Sequence, residues 1–284
     1  MRIKMGIKVD RRNFLFAAGA GAAAISLSEI SPAIAEPAAQ PAQTLKPELA
    51  DVKACVFDTF GTVVDWRSSV IAQGTQWGSA KGLKINWVEF TDKWRLGYKP
   101  IMDKVRSGQI PWTNLDGLHR MLLDQLLVDY KIELTEDEKV NWSHAWRRLH
   151  PWPDSVQGLT MLKRKFIISP LSNGNIALMA NLAKFGGLPW DLILGSDIVR
   201  HYKPDREMYL SAPFYLDLKP EQVMMCAAHA MDLQAARSCG LRTGFIYRPN
   251  EYGGGPVGVP DNAKPGDFDI VSTSIIDLAQ QLGA

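Results

Sequence analysis

From Val52 onward, short apolar runs that end in polar turns alternate with longer segments in which apolar residues recur at helical spacing. This alternation is typical of a parallel sheet whose strands are joined by crossover helices. Strands are predicted at residues 54–57, 165–171, 192–195, 223–227, 242–246 and 270–271. Helices are predicted at residues 175–185, 205–216, 231–239 and 274–282. We expect a ligand site at the carboxyl ends of these strands, where such sheets bind their ligands.

The pattern changes between residues 66 and 150, where strand-like runs are few and Trp87, Phe90, Trp94 and Tyr98 follow helical spacing. This predicts a helical bundle, here called the cap (66–150), inserted into a core formed by residues 51–65 and 151–284. Most of the nine tryptophans lie in or near this segment. We expect them mainly to pack in its interior, and we expect the bundle to supply apolar lining for a cleft.

The first 35 residues have the pattern of an export signal. Basic residues that include the Arg11-Arg12 pair precede an Ala- and Gly-rich apolar run, which ends in an Ala-Ile-Ala cleavage site at residues 33–35. The twin arginines favour the twin-arginine pathway, so we expect a periplasmic protein. One alternative is a lipid-attached anchor, but no cysteine follows the apolar run, which argues against lipid attachment. The other alternative is a disordered basic tail. Residues 36–50 are predicted to form a flexible spacer.

Charge and length narrow the class of protein further. Removing the signal takes away five Lys/Arg and two Asp/Glu, so the formal charge changes from +2 to −1. We do not expect such a chain to bind nucleic acid. The remainder is long enough to bury a substantial core and has no later apolar stretch of the roughly 18 residues that span a bilayer. We therefore expect no stable membrane anchor after signal cleavage.

Cysteines and glycines add little chemistry. Cys55, Cys226 and Cys239 lie in apolar contexts without metal-binding spacing, and their odd number excludes a complete disulfide framework. A pair between Cys55 and Cys226 stays open beside the alternative of buried core thiols. The glycine-rich residues 250–260 lack the strand-to-helix context of a phosphate-binding loop, and we interpret them as a flexible surface loop.

Polar side chains are concentrated where the predicted strands end. They form four groups in chain order: Asp58 with Thr62, Ser172 to Gly174, Lys203 to Asp205, and His229 with Asp232. The position two residues after Asp58 is Phe60, which cannot donate a proton. The first group therefore predicts a carboxylate nucleophile with no acid beside it.

The order and spacing of these groups resemble the haloacid dehalogenase superfamily, and within it the L-2-haloacid dehalogenases, over roughly residues 51 to 275. The motifs that carry the likeness are Phe57 to Thr62, Trp94-Arg95, Leu171 to Gly174, Tyr202 to Asp205 with Tyr209, and Asp232 at a helix start. The resemblance implies a doubly wound, Rossmann-like α/β core with an inserted helical cap. It also implies a hydrolase that converts short 2-haloalkanoic acids into 2-hydroxy acids, and it suggests a homodimer.

The resemblance assigns the first chemical step to five residues. Asp58 attacks the halogen-bearing carbon to form an ester, which water then hydrolyses. Lys203 keeps Asp58 ionised by charge pairing, and Thr62 fixes its rotamer. Arg95 reaches from the cap to hold the departing halide, and Asn173 shares that task.

The remaining roles concern water and substrate. Asp232 is expected to orient Lys203 or to activate the hydrolytic water. The structural alternative is that Asp232 caps the start of its own helix, which is compatible with either role. Ser172, with nearby backbone N–H groups, is expected to bind the substrate carboxylate. Phe60 and Tyr209 are expected to wall the pocket.

The chain departs from the family pattern at residues expected to take part in the second half-reaction, the hydrolysis of the ester. Known members have Ser-x-Asn where this chain has Ala227 to His229, an aromatic residue at the position of Met231, and commonly a tyrosine at the position of Phe60. His229 is read as a hydrogen-bonding partner or base in water activation, or equally as a packed side chain.

Phosphatases of the same superfamily are the first alternative. They carry a second acid at the position of Phe60 and usually Gly-Asp at Ala228-His229. A halide leaves without protonation, whereas phosphoryl transfer needs a divalent cation as well. Only Asp58 and Asp232 remain as ligands, so we predict no metal and no cofactor.

A non-catalytic protein that binds an anion in the cleft is the second alternative. The retained Asp58, Lys203 and Asp232 argue against it. The halogen, the chain length and the stereochemical preference are left open by the sequence.

Overall fold

The computed structural model describes residues 47–255 and 257–284. The predicted signal peptide and most of the predicted spacer lie outside the described residues. Within the described part of the chain, no helix combines the length and apolar character needed to cross a membrane.

The strands of the described residues are β1 (Ala54–Phe57), β2 (Val64–Asp65), β3 (His150–Pro151), β4 (Ile167–Ser172), β5 (Leu194–Gly195), β6 (Val223–Ala227), β7 (Arg242–Ile246) and β8 (Ile270–Ser272). The α-helices are α1 (Trp66–Lys81), α2 (Trp87–Arg106), α3 (Leu115–Asp129), α4 (Glu136–Ser143), α5 (Ser155–Lys163), α6 (Ile176–Gly186), α7 (Arg206–Leu216), α8 (Ala230–Ser238) and α9 (Ile275–Gln281).

Six of these strands form one parallel sheet in the order β5-β4-β1-β6-β7-β8. The chain winds outward from β1 through β4 to β5 and then crosses to β6, so the winding direction reverses beside β1. The crevice at such a reversal is where open α/β sheets bind ligands. All four residues of β1 are buried, as expected for a central strand covered on both faces. The predicted fold class is confirmed.

The predicted strands agree with the structure most closely at the centre of the sheet. Strands β1, β6 and β7 have the predicted bounds. Strand β4 begins at Ile167 rather than 165, because the N–H groups of Lys165 and Phe166 close helix α5 by donating to the Leu162 carbonyl. Strand β5 is shorter than predicted because only Leu194 and Gly195 pair with β4.

The cap helices α1 to α4 each begin after a side chain that accepts a hydrogen bond from the first turn. These N-cap residues are Asp65, Asn86, Asn114 and Thr135. Tryptophans fill the interior: the rings of Trp77 and Trp142 stack with centroids 4.4 Å apart. Five tryptophans in and beside these helices are buried, as predicted: Trp66, Trp87, Trp94, Trp142 and Trp146.

Polar contacts tie the cap helices to the core. Arg106 at the end of α2 donates to Asp205 just before α7, with Nη2 to Oδ1 at 2.5 Å. Asn175 before α6 donates to Asp116 in α3 at 2.9 Å. Helix α2 is therefore held over the carboxyl ends of β1 and β4.

The cysteines are free thiols in the structure. Cys55 and Cys226 are fully buried on neighbouring strands. Burial raises the pKa of the Cys226 thiol, and its hydrogen bond to Cys55 raises that pKa further. The structure therefore agrees with core thiols, which the sequence left open beside a disulfide.

Candidate active site

A cavity of about 470 Å³ opens at the carboxyl ends of β1, β4 and β6, under helix α2. Its core side is formed by Asp58, Phe60, Asn173, Lys203, Pro204, Tyr209, His229, Met231 and Asp232. Its other side comes from α2, with Arg95, Leu96, Tyr98, Lys99 and Met102, and from the segment after β7, with Tyr252 and Val257. Nine of the ten residues predicted for the site line this cavity or contact a residue that does. They are Asp58, Thr62, Asn173, Lys203, Asp232, Arg95, Phe60, Tyr209 and His229.

Asp58 follows β1 directly and is held by a tight turn. The Thr62 hydroxyl donates to Asp58 Oδ2 at 2.9 Å and accepts the Ala228 N–H at 2.9 Å, which fixes the direction of its one proton. Gly61 has a φ of +87°, a conformation that side chains rarely adopt. The turn therefore supplies a hydrogen-bond donor to Asp58 Oδ2, while Thr62 makes no hydrogen bond to Oδ1.

Lys203 lies between two carboxylates. Its Nζ is 3.4 Å from Asp58 Oδ1 and 2.7 Å from Asp232 Oδ2. Asp232 Oδ1 also accepts the Tyr209 hydroxyl at 2.6 Å. The side chain of Lys203 is only 7% exposed, so its charge acts through little solvent.

The surroundings of Asp58 favour its ionised form. Burial alone would raise the pKa of this carboxyl, but the charge of Lys203, the hydrogen bond and charge of His229 and the Thr62 hydroxyl together hold it well below its usual range. The pKa of Asp232 is raised, chiefly by burial and with a further contribution from the Asp58 charge, although Lys203 opposes the shift. The two carboxylates therefore differ: one is poised to attack and the other to accept a proton.

His229 lies two residues after the end of β6 and contacts two carboxylates. Its Nδ1 is 3.0 Å from Asp58 Oδ2, and its Nε2 is 3.1 Å from both Glu251 oxygens. Burial alone would lower the pKa of this imidazole, but its hydrogen bonds and charge interactions with Asp58 and Glu251 raise it well above 6.5. A carboxylate is only an acceptor, so both ring nitrogens carry protons in this arrangement.

Arg95 is held in the cavity by aromatic rings. Its guanidinium carbon is 4.5 Å from the centroid of Tyr98 and 5.4 Å from that of Trp66. Among the described residues, no carboxylate lies within ion-pair distance of Arg95, so its charge is available to an anion. Asn173 accepts the Lys203 N–H through Oδ1 at 2.7 Å, which leaves its amide N–H₂ as a donor.

Comparison with known proteins identifies the family of this chain. Residues 52 to 240 match the family model for haloacid dehalogenase-like hydrolases. The chain belongs to this family. The (S)-2-haloacid dehalogenase 4A of Burkholderia cepacia is 29% identical over 217 residues, which cover 71% of this chain and 87% of that enzyme.

Solved structures place the chain further within the dehalogenase family. A crystal structure of an L-2-haloacid dehalogenase is 47% identical, with a TM-score of 0.75, and the match covers 81% of this chain and 99% of that one. A defluorinating L-2-haloacid dehalogenase is 45% identical, with a TM-score of 0.79, and the match covers 84% and 99%. The family predicted from the motifs is confirmed.

Two expectations for this dehalogenase fold need correction. Ser172 is fully buried, its hydroxyl accepts the Gly174 N–H at 3.2 Å, and it does not line the cavity. Its side chain therefore stabilises the turn after β4, so the structure does not support a direct contact with a substrate carboxylate. Asp232 does not cap α8 either: the first N–H of that helix, on Ala230, donates to Asp261 at 2.7 Å.

The segment after β7 was misread from the sequence as a flexible surface loop. Glu251 is only 2% exposed and accepts the Trp66 indole N–H at 3.2 Å. Tyr252 and Val257 line the cavity. A buried acid in a Gly-rich segment has no periodic signal in the sequence, so sequence reasoning had no means of finding Glu251.

Tyr98 was also missed as a cavity residue. The sequence placed it only on the apolar face of a cap helix. Burial raises the pKa of Tyr98, while Arg95 and Asn173 oppose that shift. Its hydroxyl is therefore beside the two groups predicted to hold the halide.

Metal ligands are scarce at this site. The described residues contain no group of three or more His, Cys, Asp or Glu side chains arranged to hold a metal ion. The prediction that activity needs no metal is tested by chelation, as described in the next section.

Proposed function

We propose that this dehalogenase-family protein hydrolyses short 2-haloalkanoic acids to 2-hydroxy acids through an ester on Asp58. The observation that carries the proposal is one cavity that holds both a strongly ionised carboxylate, Asp58, and a guanidinium without a carboxylate partner, Arg95. A nucleophile and a receptor for the leaving anion are the two groups that displacement of halide requires.

In the first step, Asp58 Oδ1 attacks the carbon that bears the halogen. This oxygen has only the long contact to Lys203, whereas Oδ2 is held by Thr62 and His229. The carbon–halogen electron pair leaves with the halide, and inversion follows from attack opposite the leaving group. Arg95 stabilises charge that appears only as the bond breaks, so it lowers the barrier more than it strengthens substrate binding.

In the second step, water attacks the ester carbonyl carbon of Asp58. Asp232 is our candidate acceptor for the water proton, because its pKa is raised and it contacts the same ammonium as Asp58. The proton then passes to the leaving alkoxide, and the second water proton is released as Asp58 returns to its ionised form. The hydroxyl oxygen of the product thus comes from Asp58, and water replaces it.

The substrate range is set by the cavity and supported by the relatives. The cavity volume of about 470 Å³ is large enough to admit a short 2-haloalkanoic acid. The relatives are named for (S)- or L-2-haloacids, and we propose the same stereochemical preference for this chain. One relative is described as defluorinating, so fluoroacetate belongs in the substrate panel.

The test is release of halide from chloroacetate, fluoroacetate and both enantiomers of 2-chloropropionate by EDTA-treated protein. We expect release with chloroacetate and L-2-chloropropionate, and a loss of about 10⁴-fold or more in Asp58→Asn. Asp51→Asn is the matched control, because Asp51 is exposed and remote from the cavity. Equal activity of Asp58→Asn and wild type would disprove the proposal.

Two further assays separate the alternatives. Magnesium-stimulated hydrolysis of p-nitrophenyl phosphate, lost in Asp58→Asn, would establish the phosphatase. Incubation with the haloacids in ¹⁸O water that releases no halide and leaves Asp58 unlabelled would favour an anion-binding protein. Phe60 weighs against the phosphatase, because a phenylalanine in place of the second acid cannot protonate a leaving alkoxide.

We also propose export through the twin-arginine pathway and a periplasmic location. The support is the Arg11-Arg12 pair, the mild apolar run and the small-residue site at residues 33–35. Cell fractionation of the wild type and of a variant with both arginines changed to lysine tests this, with retention of the variant in the cytoplasm as the expected result.

A homodimer is proposed from the family likeness alone. Sedimentation of the mature protein measures it directly, and a single monomeric species would contradict it.

A further inference from the structure

The pair formed by His229 and Glu251 has no assigned part in the first step. The imidazole of this pair contacts Asp58 Oδ2, whereas Oδ1 is the oxygen that attacks in the proposed first step. His229 uses both ring nitrogens: Nδ1 is 3.0 Å from Asp58 Oδ2, and Nε2 is 3.1 Å from Glu251. Burying two charged groups costs free energy of desolvation. This cost indicates that the pair has a function.

Asp58 Oδ2 is the atom whose charge changes most in ester hydrolysis. Once Oδ1 is bonded to the substrate carbon, Oδ2 is the ester carbonyl oxygen. When water attacks the carbonyl carbon, Oδ2 carries the negative charge of the tetrahedral intermediate. Donors already placed on that oxygen stabilise the charge without reorganisation.

Two donors already point at this oxygen. The Thr62 hydroxyl is 2.9 Å away and His229 Nδ1 is 3.0 Å away. The Thr62 proton is directed there because the same oxygen accepts the Ala228 N–H. Nδ1 must also present a proton, because an unprotonated nitrogen would set its lone pair against the lone pairs of Oδ2.

The geometry points to an oxyanion hole for ester hydrolysis, formed by Thr62 and the His229 imidazolium at Asp58 Oδ2, with Glu251 as the positioning residue that keeps the imidazole charged. This inference rests on the proposed dehalogenation and extends it to the second half-reaction. His229 is a catalytic residue here, since it touches the reacting group, and it acts as a donor rather than as a base for water.

Glu251 is needed because esterification removes the other anion. In the resting site, two carboxylates face His229. In the ester, Asp58 has lost its charge, and Glu251 is then the one acid still hydrogen-bonded to the imidazole among the described residues. With 2% exposure of its side chain, Glu251 interacts with His229 through a medium of low polarity.

The turn after β1 accommodates this carboxylate. A Cβ built on Gly61 would overlap the Glu251 carboxylate, so the glycine provides the space in addition to its positive φ. Trp66 holds the same carboxylate through its indole N–H at 3.2 Å. Glu251 is thus fixed from the core turn and from the first helix of the cap.

The balance of atoms follows from these contacts. The water oxygen bonds to the Asp58 carbonyl carbon, the carbonyl electron pair moves onto Oδ2, and the water proton passes to Asp232. Collapse of the intermediate breaks the bond from the carbonyl carbon to the former Oδ1, and the alkoxide takes the proton from Asp232. His229 and Glu251 keep their protonation states throughout.

The experiment measures the two half-reactions separately with L-2-chloropropionate in a single turnover. Quenched samples give halide release, and intact-protein mass gives the fraction of chain that carries the ester. For Glu251→Gln we expect halide release within about threefold of wild type and ester decay slower by about tenfold or more, so that the ester accumulates. In steady state, kcat and KM fall together and kcat/KM changes little.

A second pair of variants separates a donor from a base. His229→Asn retains an N–H donor and cannot act as a base, whereas His229→Ala lacks both functions. We expect ester decay to slow by about 10²- to 10³-fold in His229→Ala and to be at least about tenfold faster in His229→Asn than in that variant. Equal losses in the two variants would overturn the donor role. Glu221→Gln, at an exposed position, is the matched control for Glu251→Gln.

The inference and the proposed function fail in different ways. Wild type that releases no halide overturns the proposed function. Wild type that releases halide while Glu251→Gln shows no slowing of ester decay overturns the inference alone. So does a Glu251→Gln variant in which halide release and ester decay are slowed equally.

Discussion

The two sides of Asp58 differ in how their residues are brought together. On the side of Oδ1, Lys203 lies in the segment between β5 and α7 with its Nζ 3.4 Å from the carboxylate, and its backbone N–H donates to Asn173, which follows β4. On the side of Oδ2, His229 lies two residues after β6, and its partner Glu251 comes from an irregular segment beyond β7. In the proposed mechanism, the first side serves displacement of halide and the second serves hydrolysis of the ester. The difference teaches that one nucleophile can be embedded in two electrostatic environments, one for each oxygen.

The largest effect is expected from Lys203→Met, on the displacement side. The substitution removes the cation shared by Asp58 and Asp232, so the two carboxylates repel each other and the pKa of one rises. We expect halide release in the first turnover to fall by about 10³-fold. A rapid-quench halide assay measures it, with the far-UV spectrum as the check on folding. Unchanged halide release with slower ester decay would invert the assignment of the two sides.

Arg95→Lys should have the next largest effect. A lysine keeps the charge but loses the planar group that stacks on Tyr98 at 4.5 Å. We expect kcat/KM to fall by about 10²-fold, because the halide is stabilised only as the bond breaks. Arg164→Lys, the same change at an exposed position between α5 and β4, is the control. An Arg95→Lys variant that alters KM alone would indicate a role in binding the substrate instead.

Gly61→Ala tests the hydrolysis side by steric means. The added Cβ would overlap the Glu251 carboxylate and adopt an unfavourable φ of +87°. We expect ester decay to slow by about tenfold and the free energy of unfolding to fall by about 1–3 kcal/mol. Gly82→Ala is the matched control, because Gly82 also has a positive φ of 67° but nothing lies near its Cβ position. Equal effects of the two variants on ester decay would show that backbone strain alone is responsible.

The smallest effect is expected in the pH dependence of ester decay. Burial lowers the pKa of His229, but Asp58 and Glu251 raise it well above its usual value in the resting protein, and in the ester Glu251 continues to raise it. The imidazolium is therefore lost as pH rises through the pKa that His229 has in the ester. We expect ester decay in wild type to fall on the alkaline side. In Glu251→Gln, loss of the nearby anion lowers the pKa of His229, so this fall should move to lower pH. The other ionisable groups around the cavity are Asp58, Lys203, Asp232, Arg95, Lys99, Tyr98, Tyr209 and Tyr252.

The sign of this dependence separates the two roles of His229. A base would make ester decay rise with pH as the imidazole loses its proton. Single-turnover decay of the ester, followed by intact mass between about pH 5 and 10, decides between them.

Much of the fold and of the displacement side was predictable from local order. The apolar runs at 223–227 and 242–246 have the bounds of β6 and β7, because buried parallel strands are continuous apolar segments. Parallel strands all end at one edge of a sheet, so the polar residues that follow them converge there. The sequence therefore predicts that Asp58, Asn173, Lys203 and Asp232 lie together.

The environment of the ester was decided only by tertiary structure. Glu251 contacts His229, which is 22 residues away in sequence, and Trp66, which is 185 residues away. No periodic pattern marks such a residue, because the segment after β7 is neither helix nor strand and its path depends on packing against the cap and the turn after β1. Ser172 shows the converse: its place after β4 was predicted, but the direction of its side chain was set by the Gly174 N–H. The sequence by itself determined which strands carry the nucleophile and its lysine, since strand order and strand ends are local properties. Which side chains face each oxygen of Asp58 depended on contacts between distant segments, and these exist only in the folded chain.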